Sequence, residues 1–452
     1  MRLKNMDNKH IYHLYSRAGF GISIADAKKL ESKNANEIVD LLLNTNDKKQ
    51  DLSIIALSEM PSREKMKDMA IADKKQLQKV ARDRTKDLNT AWMKQLITTQ
   101  TPLLEKITLF WHGHFACRVE GNPYITQQLN NIQRQYAFAP FKDLLLAVSK
   151  SAAMLQFLNN KQNHKEHPNE NFARELMELF TIGRGNYTEQ DIKESARAFT
   201  GWNSDDNYEF IFRPKTHDTD PKIFMNQSGN FAGEDILNII LQQKQTAVFI
   251  CTKMYRFFVN ENENKKHINE LADFYFTNNY DTGKLLKKIF TANWFYDEAN
   301  IGANIKSPAE FIIGFSKSFG IIPADDVLLK IQRALGQTLF YPPNVAGWAG
   351  GKSWIDSSTL MLRLKIPSTV LNGGKIDIIE KDDMPEDFKL PEIVRINPDE
   401  KPFFANATPD ELIENLLLPN ISDKKKKILL GEVPTNKQLV LKIVSMPEYQ
   451  LC

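Results

Sequence analysis

The stretch APFKDLLLAVSKSAAMLQFLNN, residues 139–160, has its apolar side chains at the spacing of an α-helix. Phe141 and Leu144 begin an apolar stripe that continues at Val148 and Ala152, so one helical face is apolar. The same period recurs in ANEIVDLLLN, TPLLEKITLFWH and GEDILNIILQQKQTAVFICTKMYRFFV. We therefore predict a predominantly α protein: a single large multi-helix domain with a small β-hairpin insertion and a small helical C-terminal appendage.

Two segments interrupt the helical pattern. Around 207–226, Tyr208, Phe210 and Phe212 alternate along the chain before a polar turn with two prolines, and the apolar run 223–225 follows the turn. This pattern predicts a β-hairpin or a long ordered loop. The loop at 339–358 contains prolines and glycines that exclude a helix, and we expect its tryptophans to pin it to a core. We place the main helical domain at 1–364 and a C-terminal helical appendage, packed on that domain, at 365–452.

The bulk composition is that of a soluble globular protein. Of 452 residues, 42% are hydrophobic and 25% charged, and 59 basic against 56 acidic residues give a net charge of +3. This balance gives no global field that would favour nucleic acid or a membrane surface. The local basic excess at 63–94 has interspersed signs, which favours a solvated helix over a nucleic-acid arm. As written, the chain is expected to be soluble and cytoplasmic, or periplasmic or exported if a signal segment was trimmed, with no membrane span.

An acidic helix is predicted at 167–180, HPNENFARELMELF. Glu170 and Arg174 are four residues apart in the favourable order, and Arg174 to Glu178 extends the ladder, at about 0.2–0.5 kcal/mol for each pair. Glu175 lies at the edge of the apolar face and is not four residues from a basic residue. Since Glu175 and Glu178 are three apart, their carboxylates can point at one atom, as in a cation site or an acid/base dyad. Spacing alone favours an ion-paired helix surface over a cation site or an acid/base dyad.

Two histidine motifs could supply further polar groups. In FWHGHF, Gly113 permits a break at the helix end after which His112 and His114 could converge as metal ligands; a capping or aromatic-packed pair is the alternative. His217 and Asp218 are adjacent in the predicted hairpin loop. They could act as metal ligands, as a base with its orienting carboxylate, or only as part of a turn. Together with the glutamates, these residues would suffice for a divalent-metal site with nitrogen and oxygen ligands.

Several blocks of the sequence resemble a bacterial family catalogued as domain of unknown function 1800. The blocks, in chain order, are HLYSRAGFG (13–21), LLEKITLFWHGHF (103–115), PNENFARELMELFTIGRGNYTEQDIKESARAFTGW (168–202), THDTDPKIF (216–224), KSPAEFIIG (306–314) and PPNVAGWAGGKSWIDSSTLMLR (342–363). The resemblance implies one predominantly helical domain, an export signal in many members, and a neighbour-encoded sulfatase/phosphatase-like protein as partner. It implies no established reaction. Because the same blocks hold the polar motifs, it favours one functional cleft shared by 103–118, 169–180 and 208–225.

Two functions compete on this sequence. The first is a divalent-metal-dependent enzyme, hydrolase-like, with zinc, iron or manganese and no nucleotide cofactor; a non-haem iron oxidoreductase is the second choice. The second is a non-catalytic binding or assembly protein for a peptide, a glycan or a partner enzyme encoded nearby, with Trp348 and Trp354 as aromatic contacts. Nucleic-acid binding is disfavoured. The predicted roles are catalytic for Glu175 and Asp218, metal-ligating for His112, His114, Glu178 and His217, and binding for Asn169, Glu170, Asn171, Arg174 and Trp348.

Overall fold

The computed structural model describes residues 6–45, 49–61, 69–372, 375–377, 393–395, 407–431 and 435–452. It is predominantly α, as predicted, with small antiparallel hairpins. Parts of the predicted basic segment and of the predicted C-terminal appendage lie outside the described residues. Within the described ranges, none of the helices combines the length and the apolar content needed to cross a membrane.

The described residues form a succession of α-helices. They are α1 Asn8–Ala18, α2 Ile24–Lys28, α3 Ala35–Leu43, α4 Ile71–Thr98, α5 Pro102–His114, α6 Pro123–Gln135, α7 Phe141–Lys150, α8 Ala152–Phe157, α9 Asn171–Glu175 (continued by a π-helix, Leu176–Thr181), α10 Glu189–Ala198, α11 Gly233–Gln242, α12 Lys244–Phe258, α13 Lys265–Thr277, α14 Thr282–Phe290, α15 Pro308–Phe319, α16 Asp325–Ala334, α17 Ser357–Leu371, α18 Pro409–Leu416, α19 Asp423–Leu430 and α20 Asn436–Val444.

The opening stretch forms two helices instead of one. Helix α7 ends at Lys150, and the side chain of Ser151 accepts a hydrogen bond from the backbone N–H of Met154, which caps the start of α8. A serine at this position satisfies a backbone donor that has no partner inside the helix. The apolar stripe nevertheless faces the core, because Phe141, Leu144 and Val148 are all buried.

Helix α5 is the central element of the fold. Proline occupies its first turn, where a missing N–H costs nothing, and nearly all of its residues are buried around the whole circumference. Phe110 and Trp111 belong to one hydrophobic core, whereas Leu109 belongs to a second core. The two cores therefore adjoin along α5, and the histidines at its C-terminal end lie in the interior.

A buried ion pair fixes α5 to its neighbours α4 and α6. The guanidinium of Arg134 donates to both carboxylate oxygens of Glu105, at 2.7 and 3.2 Å, and both side chains are almost fully buried. The indole N–H of Trp92 donates to the same carboxylate at 2.9 Å. Three helices thus share one carboxylate, and Trp92 is held in place for its contact with His112.

The second core joins α4, α15, α16 and α17 to the C-terminal helices α18 and α20. The predicted boundary between 1–364 and 365–452 falls inside α17, which runs from Ser357 to Leu371. Leu412 and Ile443 are buried in the same core as Phe311 of α15. The C-terminal helices thus pack on the main helical body, and the division into two domains stays a prediction.

Four strands form two separate hairpins where one was expected. Strand β1, Trp202–Ser204, pairs with β2, Phe210–Phe212, and β3, Lys222–Phe224, pairs with β4, Gln227–Gly229. The aromatic segments around 210 and 223 are strands as predicted, but each pairs with its sequence neighbour, because turns of few residues close a hairpin at low entropic cost. A third pair joins β5, Lys375–Asp377, to β6, Ile393–Arg395.

Candidate functional site

A cavity of about 370 Å³ opens between the end of α5, helix α12 and the loop at 339–356, here called the tryptophan loop. We name it the tryptophan cavity. It is lined, among others, by His114, Lys253, Arg256, Phe257, Trp348 and Trp354. The loop reaches over the helix end because Gly347 adopts a φ of +79°, and a Cβ there would lie 2.7 Å from the carbonyl oxygen of Gly113. Only glycine combines this backbone conformation with so close an approach.

His114 lies between the tryptophan cavity and the end of α9. Its Nε2 is 3.0 Å from the carbonyl oxygen of Phe180, and its Nδ1 is 3.2 Å from Nζ of Lys253. Because the ammonium can only donate, Nδ1 is assigned as the acceptor and Nε2–H as the donor to Phe180. Burial, and next the charge of Lys253, lower the pKa of His114 well below its usual value. The imidazole is therefore neutral, and both of its nitrogens are engaged.

Lys253 is a cation without a carboxylate partner among the described residues. Nζ donates to the carbonyl oxygen of Leu179 at 2.9 Å and to His114, and it lies 4.7 Å from the ring centroid of Phe249. Burial, reinforced by the charge of Arg256, lowers the pKa of Lys253 to about 8. The lysine therefore keeps a positive charge at neutral pH, although it lies partly buried at the wall of a cavity.

The π-helical end of α9 explains why these two side chains meet. The last carbonyl groups of a helix have no intrahelical partner, and the backbone oxygens of Leu179 and Phe180 are taken by Lys253 and His114. Basic groups at a helix C-terminus are also favoured by the helix dipole. Short π-helical segments are frequent at functional sites.

His112 points away from His114, toward the tryptophan loop. Its Nε2 accepts the backbone N–H of Phe340 at 3.1 Å, and Phe340 has an unusual φ of +67°. The ring packs edge-on against Trp92, at 4.9 Å between centroids, and lies 5.7 Å from Trp348. Burial, with Arg134 as the second cause, lowers the pKa of His112 to about 3. This histidine anchors the loop, and the two imidazoles bind different partners.

Two of the three glutamates of the predicted acidic helix form ion pairs, one of them with the partner that the spacing predicts. Glu170 pairs with Arg174 at 3.2 Å, and Arg174 also bonds to Glu189 at 2.9 Å. Glu178 pairs with Arg184 and accepts the hydroxyl of Tyr187 at 2.9 Å, instead of extending the ladder to Arg174.

Glu175 differs from its neighbours on this helix. Within the described part of the chain, its carboxylate has no hydrogen bond or ion pair, and burial, then the charge of Glu178, raise its pKa. Its carboxylate is not among the groups that line the tryptophan cavity. The backbone N–H of Asn171 donates to the side chain of Asn169 at 3.0 Å, which closes the turn that leads into the helix.

His217 and Asp218 lie between the two hairpins, beside α10. Burial alone would raise the pKa of Asp218, but Arg197, which donates to both carboxylate oxygens at 2.7 and 3.1 Å, holds it below its usual value. Nδ1 of His217 lies 2.9 Å from the carbonyl oxygen of Thr200. The pair thus fastens the hairpin region to α10.

The structure brings together only some of the residues predicted from the sequence. His114 and Trp348 line the tryptophan cavity and His112 supports its loop, whereas Glu178, His217 and Asp218 hold other partners. Across the described ranges, no three His, Cys, Asp or Glu side chains are grouped so that they could hold a metal ion. The predicted metal-ligating and catalytic roles stay predictions.

Lys253 and Arg256 were missed by the sequence reasoning. Both belong to the segment KQTAVFICTKMYRFF of α12, whose apolar face carries Ile250 and Met254. Lys253 follows Phe249 by four residues and precedes Phe257 by four, so it lies on an aromatic stripe. A basic residue on an aromatic stripe is the sequence feature that could have indicated this site.

Replacing Gly347 with alanine tests the close approach of the tryptophan loop to α5. We expect Gly347→Ala to lower the free energy of unfolding by about 1–3 kcal/mol, because the Cβ adds backbone strain and meets the oxygen of Gly113. Gly350→Ala is the matched control, since Gly350 has a similar φ of +77° but nothing within 4 Å of its Cβ position. Urea denaturation measures both; equal losses would contradict a contribution from the close approach.

A protein family matches nearly the whole chain. Its description is Protein of unknown function (DUF1800), and the match covers residues 13–451. The resemblance predicted from the sequence blocks is confirmed. No curated protein and no solved structure matches the chain significantly. The family description states no activity.

Proposed function

The chain belongs to the DUF1800 family, whose description gives no activity, and we propose from the tryptophan cavity that it binds a small organic anion with a flat, apolar body. The observation that carries the proposal is the combination of two tryptophan side chains with Lys253, a cation that has no carboxylate partner among the described residues. It develops the non-catalytic binding function considered for the sequence.

The size and lining of the cavity suit a small organic ligand. Its volume of about 370 Å³ lies in the range of about 300–1,000 Å³ that is usual for such sites. Phe110, Phe257, Trp348 and Trp354 provide aromatic surface. Flat ligands gain from such walls because stacked and edge-on ring contacts add to the burial of apolar area.

The charge of the lining favours an anion. The titratable residues along the wall carry three positive and two negative charges, and one of the negative groups, Glu310, is neutralised by Lys106 at 2.5 Å. A charge that is partly removed from water gains strongly from an opposite charge. A carboxylate or phosphate near Lys253 and Arg256 would supply it. The five residues counted are Arg17, Lys253, Arg256, Glu261 and Glu310.

Titration calorimetry with phenylacetate and with neutral 2-phenylacetamide tests the proposal. We expect phenylacetate to bind more tightly, and Lys253→Met to weaken its binding by about tenfold or more, since a charge-assisted hydrogen bond is lost. Trp348→Ala should weaken both compounds, because it removes ring surface that does not depend on the ligand's charge.

Lys244→Met is the matched control. Lys244 lies at the other end of α12 and pairs with Asp273 at the surface, so the affinity for phenylacetate should not change. Equal affinity for the anion and the amide, or full affinity in both Lys253→Met and Trp348→Ala, would overturn the proposal. The divalent-metal hypothesis is addressed separately, by elemental analysis of the purified protein with and without His112→Ala plus His114→Ala.

A further inference from the structure

We propose that Lys253 is a nucleophilic amine that forms an imine with 2-oxo acids bound in the tryptophan cavity. The inference rests on the proposed function and adds to it a substrate class and a covalent step. It concerns a residue that the sequence motifs did not indicate, and it depends on where Nζ lies.

Geometry distinguishes Lys253 from a second partly buried lysine of similar acidity. Burial lowers the pKa of Lys306 to about 8 as well. Lys306, however, lines a cavity of only about 50 Å³, which has room for about one or two water molecules. Its Nζ donates to the carbonyl oxygen of Tyr449 at 2.7 Å and lies 4.2 Å from the centroid of that ring. Of these two lysines, only Lys253 lies at a cavity with space for an organic carbonyl compound.

The surroundings of Nζ position the amine. Leu179 and His114 accept hydrogen bonds from it, which occupies two of its three N–H directions. His114 cannot rotate freely, because its other nitrogen is bonded to Phe180. Burial and the nearby charge of Arg256 both favour the neutral, nucleophilic amine, which is how lysine nucleophiles are activated in proteins.

The spacing of Lys253 and Arg256 suits a 2-oxo acid. Residues three apart on a helix lie on the same face, and both side chains line the tryptophan cavity. A 2-oxo acid carries its carboxylate on the carbon next to the carbonyl, so Arg256 can bind the carboxylate while Nζ faces the carbonyl carbon. The side chain of the acid then lies against Trp348 and Trp354.

The covalent step balances without an oxidant or a cofactor. The neutral amine attacks the carbonyl carbon, the C–N bond forms, and the carbonyl oxygen leaves as water after two proton transfers. Overall, the ammonium form of Lys253 and the ketone give a protonated imine and one water molecule. The imine retains the positive charge, so the adjacent carboxylate stays paired.

Borohydride trapping of the full chain with phenylpyruvate tests the inference. We expect a covalent mass gain equal to the probe minus one oxygen atom, located on Lys253 by peptide mapping. Labelling should be at least about tenfold faster at Lys253 than at Lys306. Its rate should rise with pH around 8, as the amine of Lys253 loses its proton, and phenylacetate should compete.

Phenylacetate binding by the native protein separates the inference from the proposed function. Lys253→Arg removes the nucleophile and should abolish the adduct, whereas Lys244→Met, which changes a surface lysine paired with Asp273, should leave it unchanged. If the native protein binds phenylacetate but forms no adduct, the inference is overturned and the binding proposal stays intact. Equal labelling of Lys253 and Lys306 would have the same consequence. Absence of phenylacetate binding would remove the proposed function and the inference with it. The native protein alone decides these outcomes if the variant does not fold.

Discussion

Lowering the pH from 7 to 5 is expected to reduce the free energy of unfolding by about 4 kcal/mol through two buried histidines alone. Burial lowers the pKa of His13 and of His112 to about 3 in the folded protein, whereas an unfolded histidine titrates near 6.5. Between these values the unfolded chain binds more protons, so each histidine removes about 2 kcal/mol over this interval. His114, whose pKa is also lowered, acts in the same direction.

The stabilisation is present above pH 6.5 and is lost as the pH falls from 6.5 toward 3. Urea denaturation at pH 7 and at pH 5 measures the loss. His13→Gln and His112→Gln are suitable variants, because a glutamine side chain can replace the hydrogen bonds that the two Nε2 atoms make with Phe295 and Phe340. Each variant should reduce the loss between pH 7 and 5 by about 2 kcal/mol. A loss as large as that of the native protein in both variants would contradict the assignment.

Glu105→Gln is expected to lower the free energy of unfolding by about 3–5 kcal/mol. The substitution leaves the guanidinium of Arg134 buried with no opposing charge, which is costly in an environment of low polarity. It also weakens the hydrogen bond from Trp92, whose ring packs on His112. We therefore expect thermal and urea denaturation to show one of the largest single-residue losses in the protein.

A double variant gives the control for this prediction. Glu105→Leu together with Arg134→Met removes both charges and should recover most of the loss, because a buried ion pair is often worth no more than apolar residues of similar volume. Lys29→Ala, in the exposed pair of Lys29 with Asp26, should cost less than about 1 kcal/mol. If the double variant is as unstable as Glu105→Gln, the unpaired charge is not the cause.

Much of the fold follows from local sequence features. The apolar period predicts the helices, and the prolines and glycines of the tryptophan loop exclude an α-helix there, although the loop contains one 3-10 turn. The spacing of Glu170 and Arg174 predicts their ion pair. Each of these features depends on residues within a few positions of one another. The helix break at Ser151 is also a local feature, but periodicity does not indicate it because the apolar stripe continues across it.

The candidate site depended on contacts that no local pattern contains. Lys253 bonds to a residue 139 positions away, His114, and to one 74 positions away, Leu179. The two histidines of FWHGHF are neighbours in sequence, yet they bind different elements because α5 is buried on all sides. Pairing of the strands, in contrast, is local, because each strand pairs with the strand nearest to it in the chain.

The sequence by itself determined the helical class, the family and the position of the tryptophan loop, because periodicity, turn residues and motif order are properties of the chain alone. Only the tertiary structure decided which polar groups share a cavity and which are paired elsewhere. The physical reason is that the charge state of a side chain is set by burial and by neighbours within a few ångströms. For Lys253, Arg256 is a near neighbour in the sequence, but His114 and Leu179, which accept its hydrogen bonds, belong to segments far away in the chain.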